Sequence, residues 1–104
     1  MEYINKVELQ GYISSPSFTV IVGKKAARFP LAAKHTYTSG NIQVTDTDWF
    51  SCFAFEGEGI DFSALQAGNA VRVVGRLKER RYVDQEGVER RYFEVICQSV
   101  KLAK

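Results

Sequence analysis

The sequence predicts an all-β fold: a five-stranded Greek-key barrel with one short helix between the third and fourth strands. Three observations predict it. Apolar residues alternate with polar ones through several long runs, the pattern of strands with one buried face. One short stretch alone carries helix signals at both its start and its stop. The runs fall in the order three strands, helix, two strands.

Val7, Leu9, Gly11 and Ile13 share one face of the first strand. Phe18 to Val22 is a short β-rich run, and Gly23-Lys24-Lys25 reads as a turn. Ala26 to His35 continues as the second strand, with Pro30 indicating an edge or a bulge because it lacks an N–H. Residues 38–46 read as a polar, mobile loop, and Trp49 to Phe55 as the third strand. The helix is expected over Asp61–Gly68, with Asp61 as N-cap, Gly68 as stop, and Phe62 and Leu65 plugging the core. Ala70 to Tyr82 and Arg90 to Leu102 are two long strands joined by a hairpin loop over 83–89. A five-stranded barrel with its helix in that position is the OB-fold.

With 104 residues the chain is expected to form one domain, residues 1–104. Its 45% apolar and 12% aromatic content fits a folded protein. No run approaches the roughly 18 unbroken apolar residues of a membrane span. The start, Met-Glu-Tyr-Ile-Asn-Lys, lacks the pattern of a signal peptide, so no membrane association and a cytoplasmic location are expected. Cys52 and Cys97 lie in apolar surroundings and read as reduced, buried thiols. With one histidine and no paired cysteines, no metal site and no cofactor are expected.

The net charge of +2 is small, but its distribution is uneven. Residues 1–37 carry five basic and two acidic side chains, residues 38–71 five acidic and none basic, and residues 72–91 seven basic and four acidic. An acidic middle between basic flanks suits a protein with one face toward an anion. Catalysis is not expected. His35 is alone, the serines have no visible base, and Asp46/Asp48 and Glu56/Glu58 read as solvated charge in a loop and at a strand end.

The positive signal is basic residues interleaved with aromatics, at Lys34-His35-Thr36-Tyr37 and Lys78-Glu79-Arg80-Arg81-Tyr82. Single-strand binders neutralise phosphates with Lys and Arg and stack bases on aromatic rings. Phe29, Phe53 and Phe62 read as core; Tyr37 and Tyr82 read as exposed. If Val83 pairs with Val88, Arg81 falls opposite Arg90 and Arg80 opposite Arg91. Such like-charge pairs repel and make sense around an anion. The candidate phosphate contacts are Lys6, Lys34, Arg72, Arg76, Lys78, Arg80, Arg81, Arg90 and Arg91.

At these residues the sequence resembles the bacterial single-stranded-DNA-binding protein family, from about residue 5 to residue 102. Asn5-Lys6-Val7-Glu8-Leu9-Gln10-Gly11 is similar to the family's opening strand, Phe29-Pro30-Leu31-Ala32-Ala33 to its second, and Asp48-Trp49 through Phe55 to its third. Val71-Arg72-Val73-Val74-Gly75-Arg76-Leu77, running on through Asp84-Gln85-Glu86-Gly87 to Glu94-Val95, is the best match. The resemblance implies base stacking on Tyr37, Trp49, Phe55 and Tyr82, with tyrosine replacing tryptophan at two positions, and hence weaker stacking in the same mode. It implies single-stranded DNA as partner, in replication, repair or recombination, and a homo-oligomer. Phe50-Ser51 stands in place of the family's usual His-Arg pair, whose histidine lies near a subunit interface, so dimer and tetramer both stay open. The loop between Gly11 and Phe29 is shorter than usual, and the sequence stops before the acidic tail that recruits partner enzymes, which reads either as a tail-less member or as a longer chain cut short. Two alternatives keep the fold and change the role: a primosome-accessory protein, and a protein-interaction module without DNA binding.

Overall fold

The computed structural model describes residues 1–103. Its elements are β1 (Val7–Ile13), β2 (Ser17–Ile21), β3 (Lys24–Ser39), β4 (Ile42–Phe55), one 3-10 turn (Phe62–Ala64), β5 (Ala70–Val83) and β6 (Glu89–Leu102). Five strands circle the barrel in the order β1-β5-β6-β4-β3. Two short seams close it: β4 and β6 run parallel at Cys52–Val95 and Phe53–Ile96, and β1 meets β3 at Tyr12–Ala32 and Ile13–Leu31. The second seam needs Gly11, because a Cβ there would collide with the Ala32 carbonyl. β2 is a sixth, short strand that pairs with β3.

Alternation decides the interior. Ile13, Phe29, Leu31, Cys52, Ala54, Val71, Val73, Val95 and Val100 face inward and are buried, and Val7 and Leu9 pack against them from the expected face of β1. The expected helix over Asp61–Gly68 is instead one 3-10 turn, which buries Ala64 and Leu65 and leaves Phe62 at the margin. Asp61 makes no capping bond; its Oδ1 accepts from the Ser63 hydroxyl. A nucleus so short gains too few hydrogen bonds to continue. The chain then leaves through Gly68, at positive φ, whose N–H bonds the Ile13 carbonyl.

Three further expectations change. Residues 38–46 are not a loop: β3 and β4 run on as a ribbon to a two-residue turn at Gly40-Asn41, with Gly40 at φ 63°. Polar strands need no buried face when the turn fixes their register. The preceding turn is Val22-Gly23, with both residues at positive φ, so Lys24 and Lys25 belong to β3. Pro30 lies within β3, neither at a sheet edge nor at a bulge, where β3 exchanges β2 for β1 as its neighbour. Its carbonyl accepts from Ser14 N, and its missing N–H falls at that junction, where it costs no ladder bond.

Cys52 and Cys97 are free and buried, brought together in the core by folding. The Cys97 thiol beside it, then burial, pushes the Cys52 thiol far up, so it behaves as a small apolar side chain. Among the described residues, no helix is long and apolar enough to cross a membrane, and no three His, Cys, Asp or Glu side chains are grouped to hold a metal ion.

Candidate nucleic-acid interface

The same alternation that fills the barrel builds a second surface outside it. Along β4, Trp49, Ser51, Phe53 and Phe55 point away from the core, paired with Ala32, Pro30, Arg28 and Ala26 of β3. Along β5 and β6 the outward set is Arg76, Lys78, Arg80 and Tyr82 with Arg90, Tyr92, Glu94 and Ile96. A band of aromatic and basic side chains thus runs over three strands on one side of the barrel.

All four candidate stacking residues are accessible: Trp49 is 60% exposed, Tyr82 51%, Tyr37 43% and Phe55 37%. They do not share one face. Trp49, Phe55 and Tyr82 lie outward, whereas Tyr37 is on the other side of the β3–β4 ribbon, stacked on His35 with ring centroids 6.1 Å apart. Phe53 is buried as expected, but outside the barrel and not in its core. It packs edge-on against Phe55 at 4.9 Å and lies under the Arg28 guanidinium at 4.7 Å.

The nine candidate cations divide by what already holds them. Lys6, Lys34, Arg76 and Lys78 make no salt bridge with any described residue. Asn5 clamps the N-terminal segment to both the N–H and the carbonyl of Leu77, so the β1 register carried outward sets Lys6 opposite Arg76. Lys34 lies one outward position beyond Ala32, the partner of Trp49. Arg72 is tied to Glu8, Arg80 to Glu94, Arg90 to Asp84, and Arg81 and Arg91 to Glu79.

The hairpin register corrects the expected arginine pairing. Val83 pairs with Glu89, not Val88, so Arg81 faces Arg91, Tyr82 faces Arg90 and Arg80 faces Tyr92. The cause is the turn: Asp84 accepts from the N–H groups of Glu86 and Val88, and Gly87 sits at positive φ, which closes a five-residue loop. One like-charge pair remains, and the chain supplies its own anion. Glu79 reaches Arg81 at 2.8 Å and Arg91 at 3.8 Å. Its carboxyl is held below the usual range by the Arg81 hydrogen bond and then by the charges of Arg81, Arg91 and Lys78. The repulsion therefore does not by itself require a bound phosphate.

Sequence reasoning missed Arg28 and Tyr92. Tyr92 packs on Tyr82 at 6.1 Å, and Arg28 binds Glu94 from across the barrel surface. Parity from Tyr82 and Phe53 would have marked their side of the strand, but not which distant strand they meet.

A closed barrel of this topology is an OB-fold, here with an aromatic and basic band over its outer face. A family model described as the single-strand binding protein family matches residues 4–103. Single-stranded DNA-binding protein 1 of Staphylococcus aureus strain COL and single-stranded DNA-binding protein 2 of strain MSSA476 are each 34% identical over 103 residues, covering 94% of this chain and 60% of theirs. The chain belongs to the single-strand binding protein family. It spans 60% of the length of these curated relatives. The fold is shared with a Plasmodium falciparum SSB solved in complex with ssDNA, at TM-score 0.82 and 21% identity over 100% of this chain and 98% of that one. A small single-stranded DNA-binding protein from Streptomyces coelicolor matches at TM-score 0.73 and 24% identity, over 99% and 96%.

Proposed function

We propose that the chain binds single-stranded DNA with little regard to sequence and without catalysis, serving replication, repair or recombination. The observation that carries this reading is Trp49, 60% exposed on the aromatic and basic outer face of the barrel and in line with Phe53 and Phe55. An indole left in water on a folded surface is a platform for a base, and each such stack is worth about 1–3 kcal/mol. Phe55 and Tyr82 extend the platform on the same face, and Tyr37 receives a strand that passes over the ribbon. Lys6, Lys34, Arg76 and Lys78 take phosphates directly. Arg72, Arg80, Arg81, Arg90 and Arg91 take them in competition with, or alongside, their carboxylates. A homo-oligomer, dimer or tetramer, belongs to the same reading. It is supported by the open edge of β2, where Phe18, Val20 and Ile21 are exposed, and sedimentation tests it: a particle of the 11.7 kDa monomer mass excludes it.

The test of binding is a titration with poly-dT at two salt concentrations, following Trp49 emission. Emission should quench and saturate, and affinity should fall with salt at a log–log slope of about −0.7 per phosphate contact. No binding at low salt overturns the reading in favour of a protein-interaction module.

A further inference from the structure

We propose that Arg28 and Arg80 form one shared phosphodiester subsite, with Glu94 beneath them as its positioning residue. This rests on the reading that the outer face binds single-stranded DNA. Glu94 is 2% exposed. Its Oε2 accepts from Arg28 Nε at 3.0 Å and its Oε1 from Arg80 Nε at 3.1 Å. Arg80 comes from β5, the neighbour of the β6 strand that carries the carboxylate, and Arg28 from β3, one strand further away beyond β4.

The charge count is what points to a ligand. One arginine neutralises a buried carboxylate; two leave a surplus of one positive charge, and a phosphodiester carries one negative charge. Each guanidinium meets Glu94 through Nε, and the terminal nitrogens of both make no hydrogen bond to a described residue. A guanidinium fork can hold a carboxylate and a phosphate at once. On the Arg28 side of the cluster, Arg28 and Glu94, but not Arg80, line a depression of ≈ 340 Å³ together with Ser15, Ser17, Ser51 and Tyr92. None of these three serine hydroxyls has a side-chain hydrogen bond among the described residues, so three further donors ring the space. Phe53 under Arg28, at 4.7 Å, fixes the plane of that guanidinium.

The slope of affinity against salt tests the proposal, because it counts neutralised phosphates. Arg28→Ala and Arg80→Ala should each lower the slope by about 0.7, and the double variant by about 0.7 in total, since they share one phosphate. Independent contacts would sum to about 1.4, and that result overturns the shared subsite. Glu94→Gln separates positioning from simple charge. It adds one positive charge to the face, so a merely neighbouring carboxylate would, on removal, tighten binding. A positioning residue gives the opposite sign: affinity roughly tenfold weaker, as for loss of one charge-assisted hydrogen bond. Adding Arg28→Ala to Glu94→Gln should then change little further. Arg28→Lys should not rescue, because an ammonium cannot present a fork to two anions. Should Glu94→Gln not fold, the arginine variants, both at half-exposed positions, decide alone. Lower melting temperatures with an unchanged slope make the cluster a structural cross-link and overturn the proposal. Wild-type protein that binds no oligonucleotide overturns the DNA-binding reading itself.

Discussion

Replacing Trp49 by alanine separates a stacking platform from a structural residue, because the structure sets different sizes for the two effects. Trp49 is 60% exposed, so about two fifths of its surface is covered in the free protein. For a side chain of roughly 250 Å², that is about 100 Å², part of which alanine retains. At about 25 cal/mol per Å² the truncation costs at most roughly 2 kcal/mol of stability. Each kcal/mol lowers the melting temperature of a domain this size by about 4–8 °C, so the variant stays folded at 25 °C. Binding loses the other side of the ring: about 1–3 kcal/mol, or roughly 5- to 160-fold in Kd. Trp49→Phe should retain part of the affinity with little change in melting. The assay pairs a thermal melt with a poly-dT titration read by anisotropy of labelled DNA, since Trp49 is the only tryptophan and its loss removes the intrinsic signal. A folded Trp49→Ala protein with wild-type Kd refutes the reasoning and shifts the stacking to Tyr37, Phe55 and Tyr82.

Glu79→Gln should release Arg81 and Arg91 from their internal anion. It should destabilise the free hairpin at low salt and make DNA binding tighter with a steeper salt slope; an unchanged slope would place this arginine pair outside the interface. Asp84 is held below its ordinary value of 3.8 by the Arg90 hydrogen bond first and then by the Val88 N–H; desolvation opposes them, and the Glu86 N–H adds to the lowering. A depressed carboxylate contributes stability that is complete above its unfolded value and is lost as pH falls through the lower folded one. Protection of the Glu86 and Val88 amides, taken relative to their intrinsic exchange rates at each pH, should therefore fall only below about pH 4, and Asp84→Asn should abolish that pH dependence. Gly11→Ala should cost about 1–3 kcal/mol, or more if β1 separates from β3, because the new methyl meets the Ala32 backbone; a melt within a degree of wild type would show that the seam can open.

Alternation let the sequence determine the strands and, where it was read, their inward faces: Val7, Leu9, Ile13 and Phe29 could be assigned because period two is a local property. The aromatics flanked by charge, Tyr37 and Tyr82, could likewise be read as exposed, and are. Turn chemistry was harder. Asp84 and Gly87 are visible as turn residues, but the extra residue that moves Arg91 opposite Arg81 depends on two backbone bonds to one carboxylate. The ribbon to Gly40 offers only a brief alternation, Ile42 and Val44, amid polar residues, so it read as loop although its backbone pairs without a break. What only the tertiary structure decided is which side chains meet across strands distant in sequence. Arg28 and Glu94, 66 residues apart, are joined because the barrel closes through β4 and β6, a seam held by few backbone pairs and much buried apolar surface. Nothing local marks a glutamate as the one that will be buried. Its two arginines, and the sharing of the outer face by Trp49, Phe55 and Tyr82 but not Tyr37, follow from strand order and register, which the chain acquires only when the barrel closes.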